Sequence, residues 1–255
     1  MKSDRKQEEY WNRVSEKKEF TTPFQAEAFF KYVKKDSRIL DVGCGYGRTL
    51  DELYHNGCRN LTGIDFSSGM IERGKRQFPY LDLRVKEEER IALPDASVDA
   101  VILFAVLTCI RTDEEQERLL SEIRRVLKPR GILYVNDFLL NTDARNLSRY
   151  EKFKVPYGVY GVFELPEGAV CRHHDPAWIR QLLRDFTERE YEPLTFTTMN
   201  GHKSNGFYFI GELGNGSDGT LAPEEIVQKA VDCNKELLIV NPDDQHVEAH
   251  YHKSI

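Results

Sequence analysis

The sequence of 255 residues lacks the paired cysteines and long apolar segments that mark many secreted and membrane-spanning proteins. Its five cysteines are scattered and favour free thiols in a reducing compartment: Cys44, Cys58, Cys109, Cys171 and Cys233. The longest apolar run, residues 98–110, contains Asp99 and is too short to cross a bilayer. The first residues are charged and resemble no secretory signal. We therefore expect a cytoplasmic protein without a membrane segment.

Basic charge is also in short supply. Lysine and arginine number 36 against 42 aspartates and glutamates, which gives a formal net charge of −6. Residues 214–255 contain eight acids and three lysines, a balance of −5, so the other 213 residues sum to only −1. Because no basic stripe is present, a nucleic-acid partner held by phosphate contacts is disfavoured. The hydrophobic content of 40% suits a globular protein with a substantial core.

Glycine is concentrated in the segment Ile39-Leu40-Asp41-Val42-Gly43-Cys44-Gly45-Tyr46-Gly47. The segment predicts a short buried strand, a loop with glycine at every second position, and then a helix. Glycine adopts positive φ and has no Cβ to obstruct a ligand, and free N–H groups at a helix start attract one. The pattern predicts a nucleotide site, although its spacing differs from the dinucleotide fingerprint. A tight turn in another nucleotide-binding α/β protein is the alternative.

Apolar and amphipathic segments alternate around this loop. The predicted strands are 38–42, 61–65, 81–85, 98–104, 132–138, 193–198 and 207–213. The predicted helices are 6–18, 24–34, 49–55, 68–77, 114–127 and 178–186. This alternation implies right-handed crossovers and a parallel sheet, and the last two strands are joined through Asn200-Gly201. Residues 139–175 interrupt the alternation with aromatic residues that follow no clean period.

Four ordered signals between residues 38 and 138 resemble the class I S-adenosylmethionine-dependent methyltransferases. The first is the acid-x-Gly-x-Gly-x-Gly pattern from Asp41, and the second is Asp65-Phe66-Ser67-Ser68-Gly69-Met70. The third is an acid, Glu87 or Glu88, where the family prefers aspartate followed by alanine. The fourth is the segment 126–133, which has Arg130 where glycine is usual.

The resemblance implies S-adenosylmethionine as the cofactor and S-adenosylhomocysteine as its product. Asp65 would take the ribose hydroxyls, Met70 would lie beside the adenine, and Glu87 or Glu88 would meet the adenine amino group. The full set of implied cofactor contacts is Tyr10, Trp11, Asp41, Gly43, Cys44, Gly45, Gly47, Asp65, Phe66, Met70, Glu87, Glu88 and Phe104. Two simpler interpretations stay open: Asp65 is a helix N-cap, and the three glutamates form a solvated loop.

The resemblance also implies the architecture. It predicts an α/β fold with a doubly wound, mostly parallel, Rossmann-like sheet of seven strands and an antiparallel C-terminal hairpin. Residues 1–213 would form the methyltransferase domain, with 1–37 as a helical lid and 139–175 as an insertion over the substrate. Residues 214–255 would form an acidic extension made of a linker and a helix.

The acceptor site is predicted from the segments that arrive at the carboxyl ends of the strands. Candidate catalytic residues are Tyr157, His173, His174 and His202, and candidate substrate-binding residues are Tyr160 and Asn200. A histidine would serve as a base for a phenol or a protonated amine, whereas a thiolate acceptor needs no base. Surface-loop histidines are the simpler alternative.

These observations favour methyl transfer to a small molecule. A protein methyltransferase and a non-catalytic cofactor sensor or scaffold are the alternatives. Aminopropyl transfer is disfavoured, since residues 104–107 offer no carboxylate after strand four. His246, His250 and His252 have spacing compatible with a metal, but their polar terminal segment favours no metal site.

Overall fold

The computed structural model describes residues 2–87, 90–197 and 201–215. In this part of the chain the strands are β1 (Ile39–Val42), β2 (Leu61–Asp65), β3 (Asp82–Val85), β4 (Val98–Phe104), β5 (Leu127–Phe138), β6 (Val162–Glu164), β7 (Val170–Arg172), β8 (Phe186–Thr197) and β9 (Lys203–Leu213). The α-helices are α1 (Lys2–Val14), α2 (Ala26–Phe29), α3 (Arg48–His55), α4 (Ser68–Gln77), α5 (Asp113–Val126), α6 (Ala144–Tyr157) and α7 (Pro176–Leu182). Among these described helices, none is both long and apolar enough to cross a membrane.

The main sheet has seven strands in the order β3-β2-β1-β4-β5-β9-β8. Strands β1 to β5 are parallel, whereas β9 pairs antiparallel with both β5 and β8. The predicted mostly parallel sheet with an antiparallel C-terminal hairpin is therefore confirmed. Strand β1 lies between β2 and β4. After β1 the chain forms β2 and β3 on one side of this strand, and then β4 and β5 on its other side. The loop after β1 thus lies at the topological switch point, where open α/β sheets bind ligands.

The central strands are buried on both faces. In β4, Val101 and Leu103 pack into one apolar cluster, and Ala100 and Ile102 pack into the cluster on the other face. Strand β5 shows the same alternation. Successive side chains of a strand point to opposite faces, so two covered faces require a continuous apolar run. This requirement explains why residues 98–104 do not alternate between apolar and polar side chains, and why Asp99 is the one polar residue among them.

The N-terminal segment differs from the prediction. The helix predicted over 24–34 is wrong in extent, because α2 contains only Ala26–Phe29. Residues 31 and 32 then donate to the carbonyl oxygens three residues before them, which makes tight turns. Phe29, Phe30, Tyr32 and Val33 are aromatic or β-branched and lose side-chain freedom in a helix. Phe29, the last residue of α2, and Val33, which follows the turns, are both buried, so these side chains reach the core without a longer helix.

The insertion has more regular structure than its sequence predicted. Asp143 caps α6 by accepting from the N–H of Asn146 at 3.2 Å, and Gly158 ends the helix in the left-handed conformation. Strands β6 and β7 form a separate antiparallel pair, here called the insertion hairpin. Asp143 and Gly158 are residue types that typically start and stop a helix. The helix between them is only weakly amphipathic, so its hydrophobic period did not predict it.

Several element bounds also differ from the prediction. Strand β5 begins at Leu127, five residues before the predicted start, and Arg130 has a φ of 62° within it. Strand β8 begins at Phe186, and α7 is Pro176–Leu182 with Asp175 as its N-cap. The long hairpin of β8 and β9 extends the sheet past its parallel part.

Helix α4 packs closely enough to constrain the glycine loop. A Cβ added at Gly74 would lie 2.6 Å from the carbonyl oxygen of Tyr46 and 2.5 Å from Leu83 Cδ1. A Gly74→Ala change should therefore lower the free energy of unfolding by about 1–2 kcal/mol, although alanine is the better helix former. Urea denaturation measures this change. Lys75→Ala, at the exposed neighbouring position, should change the value by less than about 0.5 kcal/mol. Equal stability of the two variants would contradict the packing argument.

Candidate active site

The glycine loop joins the end of β1 to the start of α3. Gly43, Gly45 and Gly47 all have positive φ, of 74°, 56° and 88°. A Cβ at Gly43 would lie 2.6 Å from Val106 Cγ2, and one at Gly45 would lie 2.8 Å from Phe20 Cε2. The first two glycines therefore allow neighbouring segments to approach the loop closely.

Four backbone N–H groups of the loop are already engaged within the protein and are not free donors. The N–H groups of Gly43 and Cys44 donate to the carbonyl oxygen of Ile64, at 2.8 and 3.1 Å. The N–H of Gly45 donates to Asp65 Oδ2 at 2.8 Å, and that of Gly47 to the carbonyl oxygen of Cys44 at 2.9 Å. These bonds fix the loop against β2. These four groups therefore fix the shape of the loop and are not available to a ligand.

Asp65 closes the end of β2. Its carboxylate accepts from the N–H of Gly45 and, at 2.8 Å, from the N–H of Ser67. Burial raises the pKa of Asp65, and these two bonds oppose that rise. The N-cap of α4 is Ser67, whose hydroxyl accepts from the N–H of Met70 at 3.2 Å. Asp65 is therefore not the cap of that helix.

Asp41 is the second buried carboxylate at this end of the sheet. Its Oδ1 is buried and has no hydrogen-bond partner. Burial and the charge of Asp65 raise the pKa of Asp41 to about 7, and Arg48 opposes them. A buried acceptor without a donor is costly. Asp41 is thus suited to receive a cationic or N–H-bearing group from a ligand.

Both carboxylates line a cavity of about 290 Å³ at the carboxyl ends of the strands. The cavity brings together many of the predicted site residues: Tyr10, Trp11, Asp41, Gly43, Cys44, Gly45, Asp65, Phe66, Met70, Phe104 and His173. Its other walls come from the insertion and from the ends of β5, β8 and β9.

Helix α1 lies over the cavity and is attached on two sides. Asn12 Oδ1 accepts from Ser67 Oγ at 2.8 Å and from the N–H of Gly69 at 3.0 Å. On the other side, Gln7 Nε2 donates to the carbonyl oxygen of Val170 at 2.5 Å. Arg13 also donates to the carbonyl oxygen at position 167, at 2.8 Å. Helix α1 and the insertion hairpin thus meet above the cavity, and we call this pair the roof.

The segment after α1 is held by a buried arginine. Arg73 on α4 donates to the carbonyl oxygens of Ser15 and Lys18, at 2.8 and 2.7 Å. Its guanidinium carbon lies 3.9 Å from the centroid of the Tyr46 ring, and Phe20 stacks on that ring at 5.3 Å. The N-terminal segment therefore covers the glycine loop in a fixed position.

Comparison with known proteins shows which proteins this chain resembles. Residues 40–135 match the family described as a methyltransferase domain. A solved structure of a SAM-dependent methyltransferase from Methanosarcina mazei superposes with a TM-score of 0.71 and 25% identity, covering 76% of this chain and 100% of that one. Residues 40–135 therefore form a methyltransferase domain, and the chain is similar to the class I S-adenosylmethionine-dependent methyltransferases. The family's cofactor is S-adenosylmethionine, as the resemblance implied.

Two curated relatives differ in what their names say they methylate. A ubiquinone/menaquinone biosynthesis C-methyltransferase from Campylobacter jejuni is 33% identical over 113 residues, 42% of this chain and 47% of that protein. An eEF1A lysine and N-terminal methyltransferase from Xenopus laevis is 35% identical over 107 residues, 38% of this chain and 15% of that protein. The chain therefore matches less than half the length of either relative.

Several predicted site residues lie away from the methyltransferase cavity. Gly47 faces Leu81 and Leu83, so its role is in packing against the sheet. Tyr157 is half-buried and bonds to Glu164. Three others are exposed and do not line the cavity: Glu87, Tyr160 and His202. Glu88, Asn200 and the histidines at 246, 250 and 252 lie outside the described residues, as does most of the 214–255 extension.

His174 lies in the core and is a correction to the catalytic prediction. It is fully buried and outside the cavity lining, and its Nδ1 donates to the carbonyl oxygen of Phe138 at 3.0 Å. Its Nε2 accepts from Gln116 Nε2 at 2.8 Å, and Trp178 Nε1 fixes that amide by donating to Gln116 Oε1 at 2.7 Å. Burial and the charge of Arg172 lower the pKa of His174 to about 3. With both ring nitrogens engaged, His174 is structural.

His173 lines the cavity, but it is arranged as a donor rather than a base. Asn141 Oδ1 accepts from the N–H of Asn205 at 2.8 Å, so its Nδ2 faces His173 Nδ1 at 3.1 Å. The Tyr150 hydroxyl donates to the same Nδ1 at 2.6 Å. An Nδ1 that accepts leaves the ring proton on Nε2. Burial and the charge of Arg149 hold the pKa of His173 far below its usual range.

Sequence reasoning missed several cavity residues. Arg48, Arg145, Arg149, Phe138, Phe163, Phe196 and Ser204 all line the cavity. Arg48 could have been found because it directly follows the glycine loop. Arg145 and Arg149 are four residues apart after the Asp143 cap, which places them on one helix face. The remaining four come from strands whose neighbours only the sheet order reveals.

The raised pKa of Asp41 predicts a pH-dependent stability. The folded protein keeps a proton that the unfolded chain releases near the ordinary value of 3.8. The associated stabilisation is present below about pH 4 and is lost as the pH rises through about 7. From about pH 5 to about pH 8, the ligand-free protein should lose about 2 kcal/mol more stability than Asp41→Asn. Urea denaturation at both pH values measures the difference.

Two comparisons make this test specific. Asp137 is also buried with a pKa raised to about 7, but it titrates in both proteins and cancels in the difference. Asp36→Asn removes an exposed carboxylate and should follow the unmodified protein. The same pH dependence in Asp41→Asn and the unmodified protein would show that Asp41 is already charged in the fold.

Proposed function

We propose that this protein transfers a methyl group from S-adenosylmethionine to a small-molecule acceptor held in the roofed cavity. The observation that carries the proposal is the buried carboxylate pair, Asp41 and Asp65, beside a glycine loop at the switch point of the sheet. The cofactor carries positive charge on its sulfonium and its ammonium group. Two carboxylates in a site of low dielectric favour such a ligand.

The residues at this end fit the parts of the cofactor. Asp65 holds one backbone N–H on each oxygen and keeps lone pairs for the ribose hydroxyls. The Oδ1 of Asp41 is buried without a partner and would accept from the cofactor ammonium. Arg48, whose buried Nε has no partner, offers a donor for the cofactor carboxylate. Phe66 and Met70 line the cavity near the start of α4 and would contact the adenine.

Bound S-adenosylmethionine supplies a methyl group on an electron-poor sulfur, which is already reactive toward a nucleophile. The protein then has to hold the acceptor in line, about 3–3.5 Å from that carbon, and exclude water. The roof and the aromatic walls would keep water away from the reacting atoms. His173 supplies an N–H donor for orientation, so the proposed chemistry needs no histidine base.

The roof favours a small molecule over a protein acceptor. The bond between Gln7 and Val170 and the bond from Arg13 to residue 167 join helix α1 to the insertion hairpin. A side chain on a folded partner would have to enter past these contacts, whereas a diffusing metabolite needs only a transient opening. The name of the Campylobacter relative is consistent with this class of acceptor.

Turnover separates the proposal from its alternatives. The protein is incubated with methyl-labelled cofactor and a cell extract that contains both metabolites and proteins. We expect label in the small-molecule fraction together with S-adenosylhomocysteine. Label confined to protein would contradict the proposed acceptor class. Tight cofactor binding without any labelled product would favour the sensor alternative.

Asp65→Asn tests the cofactor site with little change in shape. The amide loses the charge and one acceptor, so the affinity for S-adenosylhomocysteine should fall by about tenfold to a hundredfold. Isothermal titration measures it, and circular dichroism checks the fold. Asp82→Asn, an exposed aspartate on the neighbouring strand β3, should bind like the unmodified protein. An unchanged affinity of folded Asp65→Asn would remove the ribose role.

A further inference from the structure

The insertion brings two arginines to the cavity wall. Arg145 and Arg149 lie one turn apart on α6, and both line the cavity. The guanidinium carbon of Arg149 lies 3.5 Å from the centroid of the Phe163 ring, which holds the side chain against the wall. Glu167 also lines the cavity, but within the described residues it forms no ion pair with either arginine.

Arg149 lacks a counter-charge. Across residues 2–87, 90–197 and 201–215 it makes no salt bridge, and its Nε is buried without a hydrogen-bond partner. Arg145 has a distant partner in Asp143, with 3.8 Å between Nε and Oδ1. Burial lowers the pKa of Arg149, as expected for a desolvated cation, and a hydrogen bond with the Tyr150 side chain opposes this shift. Burying a guanidinium without a counter-charge is unfavourable, and an anionic ligand would supply that charge.

Other donors surround the same part of the cavity. His173 lines this part of the cavity and carries its ring proton on Nε2. No described residue accepts a hydrogen bond from that atom. Phe138 stacks on His173 at 5.6 Å between ring centroids, and Phe196 packs edge-on against Phe138 at 5.1 Å. The site therefore combines positive charge and donors with flat apolar walls.

This region is separate from the cofactor residues in the sheet. Asp41 and the glycine loop follow β1, and Asp65 ends β2. Phe138 ends β5 and Phe196 lies in β8, on the other side of β4 from β1 and β2. Arg48 is the arginine beside the glycine loop. The arginines of α6 are therefore grouped with residues from the β5 and β8 part of the cavity and not with Asp41 and Asp65.

We propose that the methyl acceptor carries a carboxylate on a flat apolar body, and that Arg149, aided by Arg145 and His173, binds this carboxylate. The inference rests on the proposed function. The free Nε of Arg149 and its adjacent terminal N–H form a planar fork that matches the two oxygens of a carboxylate. The aromatic walls would hold the rest of the acceptor beside the sulfonium.

The test uses benzoate and its neutral isostere benzamide as probes, titrated into the protein saturated with S-adenosylhomocysteine. Benzoate should bind at least about tenfold more tightly than benzamide, since a charged hydrogen-bonded pair is lost in the amide. Arg149→Gln should abolish this preference, and Arg149→Lys should restore part of it. Lys152→Gln removes an exposed cation from the same helix and should keep the full preference.

Each contrary result has a distinct meaning. Equal affinities for benzoate and benzamide, no binding of benzoate at millimolar concentration, or an unchanged preference in Arg149→Gln would overturn the inference. Tighter binding of phenyl phosphate than of benzoate would replace the carboxylate by a phosphate and overturn it too. Loss of S-adenosylhomocysteine affinity in Arg149→Gln would assign the arginine to the cofactor instead. Failure of the unmodified protein to bind S-adenosylhomocysteine would refute the proposed function itself.

Discussion

The two hydrogen bonds that Asp65 accepts from the backbone of Gly45 and Ser67 hold the site in place. They join the end of β2 to the glycine loop after β1 and to the first turn of α4. The burial cost of this carboxylate is offset by two oriented donors. Asp41 lies close enough for the charge of Asp65 to raise its pKa, and it has no such donors. The fold thus holds one carboxylate satisfied and its neighbour in need of a ligand.

Charge in the cavity is arranged along the sheet. The carboxylates lie over β1 and β2, and the arginines of α6 lie with residues from β5 and β8. A cationic cofactor and an anionic acceptor would each meet the opposite charge, with their reactive ends between. The roof increases these interactions because it excludes water and lowers the local dielectric. Asn12 and Gln7 hold the roof from its two sides.

The prediction from sequence was best where a feature depends on neighbouring residues. The strand–glycine loop–helix unit, the second strand ending in Asp65, and Val98–Phe104 were all predicted at or within one residue of their bounds. The histidine pair shows the limit. His173 and His174 are adjacent, yet extended backbone sends their side chains to opposite sides. One reaches the cavity and the other meets Gln116, about sixty residues earlier in the chain.

By itself, the sequence determined the α/β sheet, the resemblance to methyltransferases and the end of the sheet where the candidate cofactor residues gather, because hydrophobic period and glycine spacing are local properties. The tertiary structure alone decided that four of the loop amides are engaged, that His173 is a donor, and that Arg149 lacks a counter-charge. Each of these depends on groups far apart in sequence that packing brings within hydrogen-bond distance. Burial then determines which of them keep a charge.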